Sequence, residues 1–346
     1  MKNTKNIKAL PVLFIISLLG MFSCKNDAIT FPDYGRTTCY FPYQSPARTL
    51  ILGKYDVGIN TKDNNHNFEI GAEMTGVYSN TKDRKVYFKV DESLMTGATN
   101  VIPLPTAYYT VQTTSPAIIP AGSINAIIAI HLNDAFFNDP KAIAALNTTN
   151  YAIPLVITRV EGLDSILSGK PAVINPNRIK TTDWAVAPKD YTLYGIKYIN
   201  KFHGNYLRRG ADKLTNASNV EVGTTIYRNQ YVERNEVVKA TSVDLTSVTL
   251  PNTIRRFGGA NGGTINLKIV FAADGSCSVI NTLDSKTIGT GMFKENGDKW
   301  GGIPQDAIYL NYAYTDLVLN EKHQVNDTLV IRDRGVVFET FPVTIQ

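Results

Sequence analysis

The aromatic side chains are the residues of this chain best placed for contact chemistry. Trp300 lies in ENGDKWGGIPQD, a polar, glycine-rich stretch flanked by Asp298, Lys299 and Asp306. Such loops are where contact residues concentrate. An indole or phenol turned to solvent offers a flat apolar face for a pyranose ring, while planar polar neighbours take its hydroxyls. Tyr309 is a second candidate. In AIYLNYAYTD, period-two alternation puts Ile308, Leu310, Tyr312 and Tyr314 on a core face and leaves Tyr309 facing away beside Asn311. Trp184, in a proline-rich stretch, is a third candidate, although its position better suits pinning that stretch between two domains. YTLYGIKYINKFHGNYLRRG is dense in aromatics and ends on Arg208 and Arg209, so it either lines a groove or packs.

Catalytic patterns are weak by comparison. Glycoside hydrolysis needs two carboxylates ~5–9.5 Å apart, and nothing in the spacing of the 30 acidic residues selects a pair. There is no Gly-x-Ser-x-Gly elbow. His66, His131, His203 and His323 are scattered singly and read as surface or hydrogen-bonded residues, with His131 facing outward from a strand end. RRFGGANGG leads into the strand-like TINLKIVF, so it is a hairpin loop and not a phosphate cradle backed by a helix. TKDNNHN has too few spaced carboxylates for a calcium loop. Cys39 and Cys277 lack zinc spacing and are expected to be unpaired thiols. The expectation is a non-catalytic chain with no metal and no cofactor.

The elements that must hold these residues are strands. KVYFKVDES alternates Val86, Phe88 and Val90 against Tyr87 and Lys89, and SINAIIAIHL, YAIPLVITRV, TINLKIVF and TLVIRDRGVVFETF read as strands or as more fully buried ones. Asp274-Gly275 suits a tight hairpin turn because both residues tolerate positive φ. KDNNHN is too polar for a strand. AFFNDPKAIAALN alone looks helical, and Pro140 keeps it short. The pattern predicts an all-β protein: a sandwich at residues 34–167, a proline-rich linker at 168–190, and a second antiparallel β domain at 191–346, either a sandwich or a barrel.

The N-terminus carries an address. Lys2, Lys5 and Lys8 precede the apolar run Ala9 to Phe22, which as a helix covers ~21 Å, short of a ~30 Å hydrocarbon core. This is the layout of a secretory leader. Ser23-Cys24 resembles the cleavage and acylation site of bacterial lipoproteins, although Met21 and Phe22 stand where Leu and a small residue are usual. The resemblance implies a signal peptide at 1–23, lipidation of Cys24, and a surface tether at 24–33. The polar Lys25-Asn26-Asp27 resembles a Bacteroidetes surface-export signal. Removing the leader's three lysines lowers the formal charge from +5 to +2, which gives no basis for nucleic-acid binding.

Longer stretches resemble a family. CYFPYQSPARTLILGKYDVGIN, EIGAEMTGVYSNTKDRKVYFKVDESL and IPLVITRVEGLDSILSG are similar to the N-terminal immunoglobulin-like domain of Bacteroidetes surface lipoproteins. YGIKYINKFHGNYLRRG and GDKWGGIPQDAIYLNYAYTD are similar to the β-rich domain of unknown function that follows it there. Those lipoproteins resemble accessories of polysaccharide-utilisation systems. The resemblance implies an outer-membrane lipoprotein facing the exterior. It would bind or present polysaccharide to a glycan importer complex, touching the membrane only through its lipid. A fimbrial or adhesin subunit is the alternative, and an unrecognised glycan hydrolase a third. Asp164-Ser165-Ile166 and Asp327-Thr328-Leu329 match the Bacteroidetes O-glycosylation pattern, making Ser165 and Thr328 candidate acceptors.

Overall fold

The computed structural model describes residues 33–55, 57–144, 148–259, 261–281 and 287–346. The expected leader, the lipidation at Cys24 and nearly all of the tether lie outside the described residues. Among the described residues, no helix is long and apolar enough to cross a membrane.

Two sheets face each other in the N-terminal half. One has the order β10 (Ser165–Ile166), β1 (Thr38–Tyr40), β3 (Asn67–Thr75), β8 (Asn125–Leu132), β6 (Tyr109–Val111). The other runs β23 (Glu339–Thr340), β2 (Pro46–Ile51), β13 (Tyr191–Ile199), β9 (Tyr151–Glu161), β4 (Arg84–Val90), β7 (Ala117–Ile119), with β5 (Ile102–Pro103) also beside β9. Alternation sets the facing. Phe68, Ile70 and Ala72 of β3 pair in register with Ile130, Ile128 and Ala126 of β8, and all six are buried against Ile153, Leu155 and Tyr198 of the opposite sheet. The expected immunoglobulin-like sandwich is present. β9 is buried along most of its length because its outer face is covered too: Ala152 and Val156 pack with Leu94, Met95, Ile179 and Phe341. A strand buried on both faces reads as a continuous apolar run.

The expected boundary at 190/191 is corrected by strand pairing. Tyr191–Ile199 is not the start of the second domain: β13 pairs parallel with β2 and antiparallel with β9. β23 returns from the far end of the chain to pair with β2. The 168–190 stretch is an excursion of the sandwich. It holds the small hairpin β11 (Lys170–Pro171) and β12 (Trp184–Val186), tied down by Arg178 on the Asp190 carboxylate.

From Gly204 onward the chain forms a closed barrel. Its strands are β14 (Gly204–Thr215), β16 (Glu236–Ser242), β17 (Ser247–Arg255), β18 (Asn261–Phe271), β19 (Ser276–Asn281), β20 (Ile288–Trp300), β21 (Ile303–Asp316) and β22 (Glu321–Asp333), each antiparallel to the next. β22 closes the ring of eight on β14 from Asn205 to Thr215. β15 (Glu221–Tyr227) adds a flap beside the far half of β14. As expected, Asp274-Gly275 turns the β18–β19 hairpin, with Gly275 at φ 86°. Gly289 and Gly291 face inward, where a Cβ would stand 2.3 Å from Tyr312 Cβ and 2.8 Å from Cys277 Sγ. Cys39 and Cys277 are free and sit in separate cores. Burial pushes each thiol up to about 12.

The chain crosses between the two bodies twice, after β13 and after β22. Arg334 clamps the junction, donating to the carbonyls of Leu52, Lys54 and Asn200. Asn200 in turn binds Asp244 and Ser247 of the barrel. At this same end, Gly53 meets Lys201 and is bonded by Asn64, just before β3. β3 then runs nine residues, ~30 Å, to Gly76, whose carbonyl accepts the Tyr34 N–H. The described chain therefore enters the sandwich at the end opposite the barrel.

Candidate functional site

The outer wall of the barrel bears an open cleft of about 570 Å³ that spans β15, β14, β22, β21 and β20. Register explains its floor. In antiparallel pairs, residues directly opposite share a face and stand side by side. Arg209 pairs with Thr328, Thr328 with Tyr309, and Tyr309 with Met292, while Arg228 lies across from Arg209 one step beyond the Gly210–Tyr227 pair. Five outward side chains thus form one lateral row. The next row reads Ile226, Ala211, Asn326, Asn311, Thr290. The cleft presents one aromatic ring, two guanidinium groups, two planar amides and two hydroxyls over a partly apolar floor.

The ring is fixed in place. The Tyr309 hydroxyl donates to the Gly297 carbonyl at 2.7 Å, and Lys294 Nζ lies 5.6 Å from the ring centroid. Both come from a break in β20–β21 pairing between Lys294 and Asp298, which folds this stretch over the barrel's outer face. Asp298 in turn accepts from Arg209. Burial, then the nearby Asp298 charge, raises the Tyr309 phenol above its ordinary value.

Behind the floor lies a buried polar network. Arg208 and Asp327 are paired inside the barrel at 2.8 Å, both almost fully buried. Asp327 also accepts from Tyr312 at 3.0 Å and from Tyr227, and Arg208 donates to Asn252 and Tyr312. One layer further from the sandwich, Asp212 bonds His323 Nδ1 at 3.0 Å and accepts from Tyr314 at 3.2 Å, whose ring stacks on His323. Burial and the neighbouring carboxylates push the Tyr312 and Tyr314 phenols well up. Asp327 is thus engaged by an arginine and two tyrosines beneath the cleft floor.

Comparison with known proteins agrees with the corrected division of the chain. A family described as a "-like, N-terminal domain" matches residues 34–164, and a domain of unknown function, DUF5627, matches residues 201–335. A solved Bacteroides ovatus protein of unknown function is 36% identical, with a TM-score of 0.81 over 90% of this chain and 100% of its own. The chain belongs to that protein's family. It is a Bacteroidetes two-domain protein, sandwich first and barrel second. A multidomain B. ovatus protein including DUF1735 is 13% identical, with a TM-score of 0.40 over 87% of this chain and 96% of its own. An auxiliary nutrient binding protein from Bacteroides thetaiotaomicron is 13% identical, with a TM-score of 0.35 over 88% of this chain and 94% of its own. No curated protein matches.

Within this family member, the residues singled out from the sequence fall in different places. Tyr309 and Thr328 are neighbours on the cleft floor, and Tyr312 and Tyr314 face the interior as alternation requires. Trp300 closes the end of β20, half-buried, with its indole N–H donated to the Ile331 carbonyl at 2.9 Å; it does not line the cleft. Trp184 is half-buried in the 168–190 excursion and donates to the Asn177 carbonyl at 2.8 Å, a pin within the sandwich and not between domains. Ser165 is half-buried in the short parallel pair with Thr38. Arg228, Asn326 and Met292 escaped sequence reading, although EVGTTIYRN and QVNDTL carry the alternation that turns Arg228 and Asn326 outward. His203 and His323 are buried, the latter inside the barrel.

Proposed function

We propose that this protein is a non-catalytic lipoprotein of the outer membrane. Its barrel cleft binds polysaccharide and presents it to a glycan import complex. The observation that carries this reading is the double row on the cleft floor, where a tyrosine ring is set among planar amides, hydroxyls and guanidinium groups. That combination meets both faces of a sugar: an apolar ring face and a rim of hydroxyls. The cleft is open along its length, which suits a chain. Its nearby carboxylates are engaged, Asp298 by Arg209 and Asp327 by Arg208, which supports binding over hydrolysis. Because the chain enters the sandwich at the end away from the barrel, the sandwich acts as a spacer holding the cleft ~30 Å further from the anchor. On this reading Thr328 is a ligand contact, and a glycan attached there would fill the same cleft.

The test is affinity electrophoresis of residues 25–346 through gels containing a panel of polysaccharides. Retardation by a glycan is expected to be lost in Tyr309→Ala and kept in Trp300→Ala, with both variants folded by circular dichroism. Retardation that survives Tyr309→Ala would move the site elsewhere.

A further inference from the structure

We infer that the cleft is built for an acidic polysaccharide, with an anionic substituent held between Arg209 and Arg228. This rests on the glycan-binding reading of the same cleft and names the class of glycan. The register ends at the Gly210–Tyr227 pair, so the next residues, Arg209 and Arg228, lie across from each other and both line the cleft; two like charges so placed cost stability when nothing neutralises them. Arg209 has Asp298. Among the described residues Arg228 has no ion pair, and it is exposed at the cleft wall, one residue past the end of the flap strand. The buried Nε of Arg209 also lacks an acceptor. Lys294, over the Tyr309 ring, is a second cation without an ion pair among the described residues.

The acids nearby do not balance these cations. Asp327, the one carboxylate on the cleft lining, is sealed beneath the floor by its own arginine. Tyr309 and Arg209 are separated by one strand, so their Cα atoms stand about 10 Å apart. A sugar stacked on Tyr309 and an anion at the arginine pair therefore belong to neighbouring residues of one polymer. Arginine favours planar carboxylates and tetrahedral sulfates alike, through paired N–H donors.

The deciding experiment measures retardation of residues 25–346 by polygalacturonate, alginate, hyaluronan and a sulfated galactan. Methyl-esterified polygalacturonate, neutral xylan and polyglutamate serve as controls. At least one acidic polymer should bind, and Arg228→Gln and Tyr309→Ala should each weaken it tenfold or more. For polygalacturonate, esterification should do the same. Preference for the sulfated galactan with the same two dependences would support the inference and assign the anion to sulfate; preference for a uronate polymer assigns it to carboxylate. Binding of xylan or the methyl ester equal to that of the acids, unchanged in Arg228→Gln, would overturn the inference and leave the glycan reading standing. Equal binding of polyglutamate, insensitive to Tyr309→Ala, would reduce the site to charge adhesion and overturn it. Retardation by none of these polymers, acidic or neutral, would remove both.

Discussion

The two halves of this protein bury different things. Ile70, Ile128, Ile130, Ile153 and Leu155, from both sheets, fill the sandwich core, and its buried charges Asp63, Asp190 and Lys197 each pair with a partner that reaches solvent. The barrel core is apolar near the junction, where Phe202, Phe271 and Phe293 pack, and along strands that reach Ile254 and Val325 further out. Among those apolar residues the barrel interior also holds Arg208, Asp327, Asp212 and His323, with Arg208 and Asp327 both sealed from solvent. A buried ion pair is a poor source of net stability, since desolvation offsets most of the attraction. The contrast is in where charge is sealed: the barrel holds an ion pair with both partners out of solvent, directly behind the wall on which the cleft lies.

Asp327→Ala leaves the Arg208 charge buried and unpaired, which should cost about 3–5 kcal/mol, read as a fall in the barrel's urea midpoint. Replacing Arg208 and Asp327 together by Met and Leu should recover much of the loss. Ile128→Ala in the sandwich should cost about 2–5 kcal/mol by leaving a cavity, with no pairing mutation able to rescue it. Equal rescue in both halves would erase the distinction drawn here.

A pH effect should come from the barrel end at the junction. Burial depresses His203 to about 3, and its Nδ1 accepts from the Ser242 N–H at 3.0 Å, which requires a neutral ring. The unfolded chain takes up the proton near pH 6.5 while the folded chain does not. This contribution is therefore complete above pH 6.5 and falls as pH drops towards 3, by about 3 kcal/mol at pH 4. A His203→Asn variant should show a flatter dependence between pH 4 and 7; an unchanged slope would place the effect elsewhere. The smallest change belongs to the sandwich surface. Glu161, bonded by Tyr87 and paired with Lys85 and Arg159, is held down to about 2 by those partners. Its contacts lie in solvent, so Glu161→Gln should leave the thermal midpoint unmoved at physiological salt.

Local pattern carried much of this into the sequence. Alternation gave the strands, the inward Tyr312 and Tyr314, and the outward Tyr309 and Asn311, because a period of two depends only on neighbours. Pairing between distant strands was not legible. β13 joins β2 from nearly 150 residues away, so its segment read as the opening of the second domain. Barrel closure depends on β14 meeting β22, and alternation is the same in a sandwich and a barrel. The cleft rows failed for the same reason. Arg228, Thr328 and Met292 become neighbours of Tyr309 only through the register of five strands. Trp300 drew attention by its polar, glycine-rich surroundings, yet its N–H is spent on a main-chain carbonyl.

Hydroxyl-radical footprinting of the protein with and without its bound polysaccharide tests the central claim most directly, because it locates contact without assuming which residue matters. Met292 and Tyr309 should be protected, with Trp184, Trp300 and the sandwich residue Tyr78 reacting as before. Protection confined to the sandwich or to Trp300, with Met292 and Tyr309 unchanged, would contradict that claim.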